Sequence, residues 1–205
     1  MATLNLNKNE IECKIVYYGP GRCGKTTNLE YIYNTYKKQA IGEMVSIDTE
    51  GDRTLFFDFL PMEFGKIKGC DIKVKLYTVP GQVKYKSTRK LVLRGVDGVV
   101  FVADSLKLRR GKNMESLRDL HENLKSMGLS ILRIPLVMQY NKRDLENTEI
   151  PLLPVEQMER ELNRRLKAPS FPGSAATGHG VGAALSGCLK LTLKHLYREF
   201  KWDQK

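Results

Sequence analysis

The sequence predicts an α/β fold, with a mostly parallel six-stranded sheet, one antiparallel edge strand, and helices on both faces. Three observations lead there. Strand-like and helix-like stretches alternate from residue 10 onward, the pattern of a parallel sheet covered by helices. "DGVVFVAD" (97–104) and "IPLVMQYN" (134–141) are near-continuous apolar runs, as expected of central strands buried on both faces. "VYYGPGRCGKTTNLEY" (16–31) passes from an apolar run through a glycine-rich turn into a helical pattern.

The elements follow in order. Residues 11–18, rich in β-branched and aromatic side chains, form the first strand, and residues 25–36 the first helix. Residues 43–60 hold a polar turn followed by an apolar run at 55–60. "DIKVKLYTV" (71–79) alternates Ile72, Val74 and Leu76 with Lys73, Lys75 and Tyr77, a half-buried strand. Only "PMEFGKIKG" separates it from the preceding run, which suits a hairpin and makes one edge of the sheet antiparallel. Between the two central strands, Met114, Leu117, Leu120, Leu124 and Met127 recur at helical spacing. Pro154 opens the amphipathic "PVEQMERELNRRL" (154–166), a position where its missing N–H is harmless. The last helix starts near Val181 and carries Leu185, Leu189, Leu193, Leu196 and Phe200 on one stripe. Its place in the alternation makes it a closing helix on the sheet rather than a basic helix on a membrane. "LENTEIPLLP" (145–154) reads as a loop, so residues 1–205 form a single domain.

Composition narrows the setting. A chain of 205 residues suits one α/β domain, and 41% hydrophobic with 28% charged residues is ordinary for a globular protein. No apolar run approaches the roughly 20 residues that span a membrane. "MATLNLNKNE" has neither the basic start nor the apolar core of a signal peptide, and Ala2 and the ending "KWDQK" signal no lipid anchor. The cytoplasm is the expected compartment. Cys13, Cys23, Cys70 and Cys188 lie far apart, as reduced thiols do, and His121, His179 and His195 form no zinc set with them. The net charge is +11, but "KLRRGK", "NRRLK" and "KHLYREFK" are scattered and no aromatics interleave the lysines. This favours solvated basic faces over a specific nucleic-acid interface.

The glycine-rich turn fits G-x-x-x-x-G-K-[ST] at Gly19, Gly24, Lys25 and Thr26. Glycines let successive N–H groups point inward and form an anion nest at a helix N-terminus. Lys25 is placed for the β- and γ-phosphates, and the Thr26 hydroxyl for Mg²⁺. Cys23, at the foot of the helix, is read as packing beneath the loop. The turn is a phosphate cradle whose candidate contacts are Gly19, Gly21, Arg22, Cys23, Gly24, Lys25, Thr26 and Thr27.

"YNKRD" (140–144) contains N-K-x-D at the end of an apolar strand. Asp144 can accept from the N1–H and exocyclic amine of guanine; adenine would leave that carboxylate without donors, which is the basis of strong discrimination. Asn141 and Lys142 brace the base and the cradle. "SAATG" (174–178) then offers the backbone N–H groups of Ser174, Ala175 and Ala176 to the guanine oxygen.

With "YYGPGRCGKTTNLEYIYN", "DRTLFFDFLP", "LYTVPGQ", "RKLVLRGVDGVVFVADS" and "QYNKRDL", the chain resembles the Ras-like small GTPases over nearly all of residues 10–200. It is more similar still to their bacterial MglA (mutual gliding) branch. The resemblance implies a small-GTPase (P-loop NTPase) fold and a GTP/GDP switch that slowly hydrolyses GTP with Mg²⁺ as cofactor. It also implies a roadblock-type, MglB-like activating partner, polarity and motility effectors, a monomeric state, and recruitment to a cell pole. By the same resemblance Thr54 senses the γ-phosphate and Mg²⁺, Gly81 gives its N–H to the γ-phosphate, Gln82 orients the attacking water, and Arg53 serves as an internal arginine finger.

The chain departs from the general small-GTPase pattern where D-x-x-G becomes "TVPG", with Thr78 in place of the aspartate that holds Mg²⁺ through water; the MglA branch shares this. A threonine brings no charge, so the metal is held less firmly unless another carboxylate helps; Asp58 and Asp104 are the unranked candidates. Arg22 within the cradle is a second departure. The last loop, "GSAATGHGV", is nearer the general pattern than the branch's. Two other functions fit parts of this reading: a nucleotide-binding scaffold with negligible hydrolysis, from the missing aspartate, and an RNA- or ribosome-associated GTPase, from the charge.

Overall fold

The computed structural model describes residues 3–5, 9–47, 57–67, 69–80 and 86–199. Its strands are β1 (Thr3–Asn5), β2 (Glu10–Tyr18), β3 (Val45–Ile47), β4 (Phe57–Ile67), β5 (Cys70–Thr78), β6 (Gly98–Asp104), β7 (Leu136–Asn141) and β8 (Ser170–Pro172). They form one sheet in the order β3-β4-β5-β2-β6-β7-β8, with β1 paired to β2. β5, β2, β6, β7 and β8 run parallel, while β4 is antiparallel to β5 and to β3. The fold is the expected one. The sheet exceeds the expected six strands by β1 and β3, each only three residues long and so too short to carry a period of two.

The helices are α1 (Lys25–Thr35), α2 (Lys86–Leu93), α3 (Arg110–Ser126), α4 (Val155–Met158) and α5 (Val181–Glu199). They cover both faces. Ile11, Cys13, Ile15 and Tyr17 of β2 point to the layer containing Leu29 and Ile32 of α1 and Leu185 and Leu196 of α5. Val16 and Tyr18 point to the layer of Leu93, Leu120 and Leu124 on α2 and α3. β2 is therefore buried on both sides, and the loop that follows it is held at a rigid strand end.

Two expectations shift. Met114 is 41% exposed rather than part of the buried stripe of α3, because Asn113 turns inward and bonds to the backbone of Asp104. The segment 154–166 begins as α4 after Pro154 and continues as a π-turn over Glu159–Asn163. Beneath α2 and α3 lies a buried polar knot. Arg89 pairs with Asp119 at 3.2 Å, and the Tyr18 hydroxyl donates to the same carboxylate. Asn123 Nδ2 donates to the Tyr18 oxygen at 3.1 Å. Burial, reinforced by Asp119, pushes the Tyr18 phenol far up, so it stays a donor at any physiological pH. The knot anchors α2, which follows the "GQ" segment, to the strand that leads into the cradle.

Candidate functional site

The cradle spans residues 19–24, between the end of β2 and the start of α1. Gly24 is the N-cap of α1 in the left-handed region (φ 96°, ψ 26°), with no side-chain cap, which leaves the first helical N–H groups for a ligand. Arg22 is also left-handed (φ 62°), and its side chain is exposed. Lys25 is buried, and its Nζ donates to the Gly19 and Pro20 carbonyls at 3.1 and 2.7 Å. Cys23 is buried beneath the loop; burial raises its thiol pKa while Lys25 opposes that shift. It packs rather than reacts. Thr26 and Thr27 are exposed on the first turn of α1.

Asn28 and Gln139 support this loop from below. Asn28 Nδ2 donates to the Gly24 carbonyl at 2.8 Å, and Gln139 Nε2 donates to Asn28 Oδ1 at 2.9 Å. Both side chains are wholly buried. Neither belongs to a motif; the one sign of them in the sequence is a lone glutamine inside the apolar run "PLVMQY".

Beside the cradle, β4 brings in a carboxylate. Asp58 Oδ2 accepts from the Thr26 hydroxyl at 2.6 Å and from the Thr78 hydroxyl at 2.8 Å. Asp58 Oδ1 accepts from Ser46 at 2.8 Å, and the Asp58 N–H donates to Thr78 Oγ1 at 2.9 Å. This geometry separates the two candidate carboxylates. Asp58, only 8% exposed, stands with three hydroxyls against the helix start, whereas Asp104 faces Lys142 and Arg109. A buried carboxylate among hard, neutral oxygens is the donor set a Mg²⁺ ion takes. Among the described residues no three His, Cys, Asp or Glu side chains gather.

The third corner is the end of β7. Asn141 Nδ2 donates to the Cys23 carbonyl at 2.7 Å, and its Oδ1 accepts the Ala175 N–H at 2.7 Å. One buried amide thus joins the cradle, the N-K-x-D string and the "SAATG" loop. Lys142 is left-handed (φ 73°), its Nζ 2.7 Å from Asp104. Asp144 sits exposed in the turn Arg143–Leu145. The Ser174 N–H donates to the His179 carbonyl at 2.8 Å and the Ala175 N–H to Asn141, so both are used inside the protein. The loop is thus braced by its own backbone and by the end of β7.

Arg53, Thr54, Gly81 and Gln82 lie outside the described residues. Among the described residues no helix is long and apolar enough to cross a membrane. All four cysteines are free and buried.

Two comparisons bear on this arrangement. The family model of the ADP-ribosylation factor family matches residues 1–189. The mutual gliding-motility protein MglA of Myxococcus xanthus (strain DK1622) is 53% identical over 196 residues, covering 96% of this chain and 98% of that protein.

Proposed function

The chain belongs to the ADP-ribosylation factor family of Ras-like small GTPases, and from that premise we propose that it is a GTP/GDP switch that slowly hydrolyses GTP to GDP and phosphate. The observation that carries the reading is the Asn141 amide, which locks the phosphate cradle to the N-K-x-D strand end. Base and phosphates are then bound by one rigid unit, with guanine selected by Asp144 and the Ala176 N–H. Lys25 leaves the loop carbonyls for the β- and γ-phosphates. Arg22, Gly19, Gly21, Gly24 and Thr27 line the phosphate path.

Thr26, Thr54 and Asp58 would hold Mg²⁺, which neutralises phosphate charge when bound; Asp58 takes the role that Thr78 cannot. In hydrolysis Gln82 orients water for in-line attack, Gly81 holds the γ-phosphate, and Arg53 meets the charge that develops as the β–γ bond breaks. In this reading both catalytic roles arise in the transition state. This fits a low basal rate and a roadblock-type activating partner like MglB. The similarity to a mutual gliding-motility protein supports a role in motility; control of polarity, in the cytoplasm and at a cell pole, completes the proposal.

Titration with labelled GDP and ADP tests the reading. GDP should bind at least about a hundredfold tighter, because adenine leaves the Asp144 carboxylate unpaired, and Asp144→Ala should remove most of that gap. Comparable affinities for the wild-type protein would remove the guanine reading. Single-turnover GTP hydrolysis with and without a roadblock partner then separates a switch from a scaffold.

A second expectation follows from where Asp58 lies. It sits on a strand, so freeing Thr26 from it, or carrying it with the metal, moves β4 and not a loop alone. Changing a strand's register gives discrete states. Hydrogen exchange should therefore differ between GDP and GTP-analogue forms through residues 57–60. If those strand amides exchange alike and only residues before Arg53 change, an ordinary loop switch replaces this one.

A further inference from the structure

Asp104 ends β6, opposite Asn141 of β7, and is fully buried. A carboxylate in that position is very costly unless cations and donors surround it. Its backbone is fixed by α3: the Asp104 N–H donates to Asn113 Oδ1 at 2.9 Å, and Asn113 Nδ2 donates to the Asp104 carbonyl at 2.8 Å. Its Oδ1 accepts the Leu106 N–H at 3.0 Å. Its Oδ2 faces two cations, Lys142 Nζ at 2.7 Å and Arg109 Nε at 3.8 Å. Arg109 then reaches on across the site, where Nη2 donates to the Gly21 carbonyl at 2.6 Å.

The resulting chain, Lys142–Asp104–Arg109–Gly21, runs parallel to the Asn141–Cys23 bond and grips the cradle two residues earlier. We infer that Arg109 is a positioning residue: it fixes the Gly21 end of the phosphate loop to the guanine-reading corner through Asp104 and so slows nucleotide release. The inference rests on the nucleotide site proposed above. Arginine suits the task because its planar fork serves a carboxylate and a carbonyl at once, which a lysine ammonium on a flexible stem does not. The turn Lys107–Arg109 leads directly into α3, so the docking of α3 through Asn113 sets where the guanidinium lies.

Stopped-flow release of labelled GDP and labelled GMP tests it. Arg109→Ala removes a charge-assisted bond from the loop that wraps the β-phosphate, so GDP release should quicken about tenfold and GMP release much less. The Arg109 side chain is 31% exposed, so its loss leaves no buried hole. Arg109→Lys keeps one cation on a flexible stem without the planar fork that serves both partners, and should fall between wild type and alanine. Combined with Lys142→Ala, the effect should be non-additive, since both cations share Asp104. Wild-type GDP release from Arg109→Ala, equal acceleration of GDP and GMP, or independent effects of Arg109 and Lys142 would each overturn the inference. A wild-type protein that retains no GDP would instead defeat the nucleotide reading itself.

Discussion

Gly24→Ala is expected to leave a folded protein that has lost guanine-nucleotide binding by about a hundredfold to a thousandfold. Two separate effects combine. The residue sits at φ 96°, where a side chain strains the backbone by about 1 kcal/mol. A Cβ built there also lies 2.3 Å from Asn141 Nδ2. That nitrogen cannot retreat without breaking its bond to the Cys23 carbonyl, and turning the amide also frees the Ala175 N–H. Each buried polar group left unpaired costs about 1–3 kcal/mol. The loss falls on the joint between cradle and base reader, so it appears in binding more than in folding. Gly65→Ala is the control, because Gly65 is also left-handed (φ 72°) but has nothing within 4 Å of its added Cβ. It should bind labelled GDP as the wild type does. Should Gly24→Ala bind within about tenfold of wild type, the Asn141 joint is not what holds the site together.

That joint was only half legible in the sequence. The G-x-x-x-x-G-K-[ST] and N-K-x-D strings are local, and each needs particular residue types at fixed spacing, so both could be read directly. The bond between them spans 118 positions and depends on β2, β6 and β7 lying side by side, which no window of sequence contains. Arg109 was hidden for the same reason: in "KLRRGK" it is one cation among several, and only the start of α3 aims it at Gly21, 88 positions away. Asp58 and Asp104 looked equivalent because each is a carboxylate attached to an apolar run, Asp58 inside 55–60 and Asp104 at the end of 97–104. Pairing distinguished them, since the antiparallel register of β4 on β5, with Phe59 opposite Tyr77, sets Asp58 beside Thr78. The bracing of the "SAATG" loop was hidden too. The Ser174 N–H is taken up within the loop by the His179 carbonyl, and the Ala175 N–H by the Asn141 side chain, 34 positions away and out of reach of any local reading.

Thr78→Asp writes back the aspartate of the general D-x-x-G string, and it is expected to damage the site rather than repair it. The Thr78 hydroxyl now donates to Asp58 Oδ2 at 2.8 Å and accepts the Asp58 N–H at 2.9 Å. Both residues are buried, at 3% and 8% exposure. A second carboxylate there replaces a donor with a like charge, and two carboxylates so close cannot both ionise cheaply. One of them must hold its proton well above the usual carboxylate range. In that pH interval the folded variant binds a proton that the unfolded chain has released, so its stability falls as pH rises. Thr78→Asp should therefore melt near wild type at about pH 5. In chelator at about pH 8 it should lose roughly 2–4 kcal/mol. Added Mg²⁺ should return part of the loss, as the counter-charge the pair lacks. The exchanged variant Asp58→Thr/Thr78→Asp restores one carboxylate and one hydroxyl across the same pair of strands, and should recover most of the stability and of the Mg²⁺-dependent retention of GDP. A single Thr78→Asp variant whose melting in chelator stays flat between those pH values would mean that Asp58 does not face position 78. The metal's missing charge would then have to come from another residue.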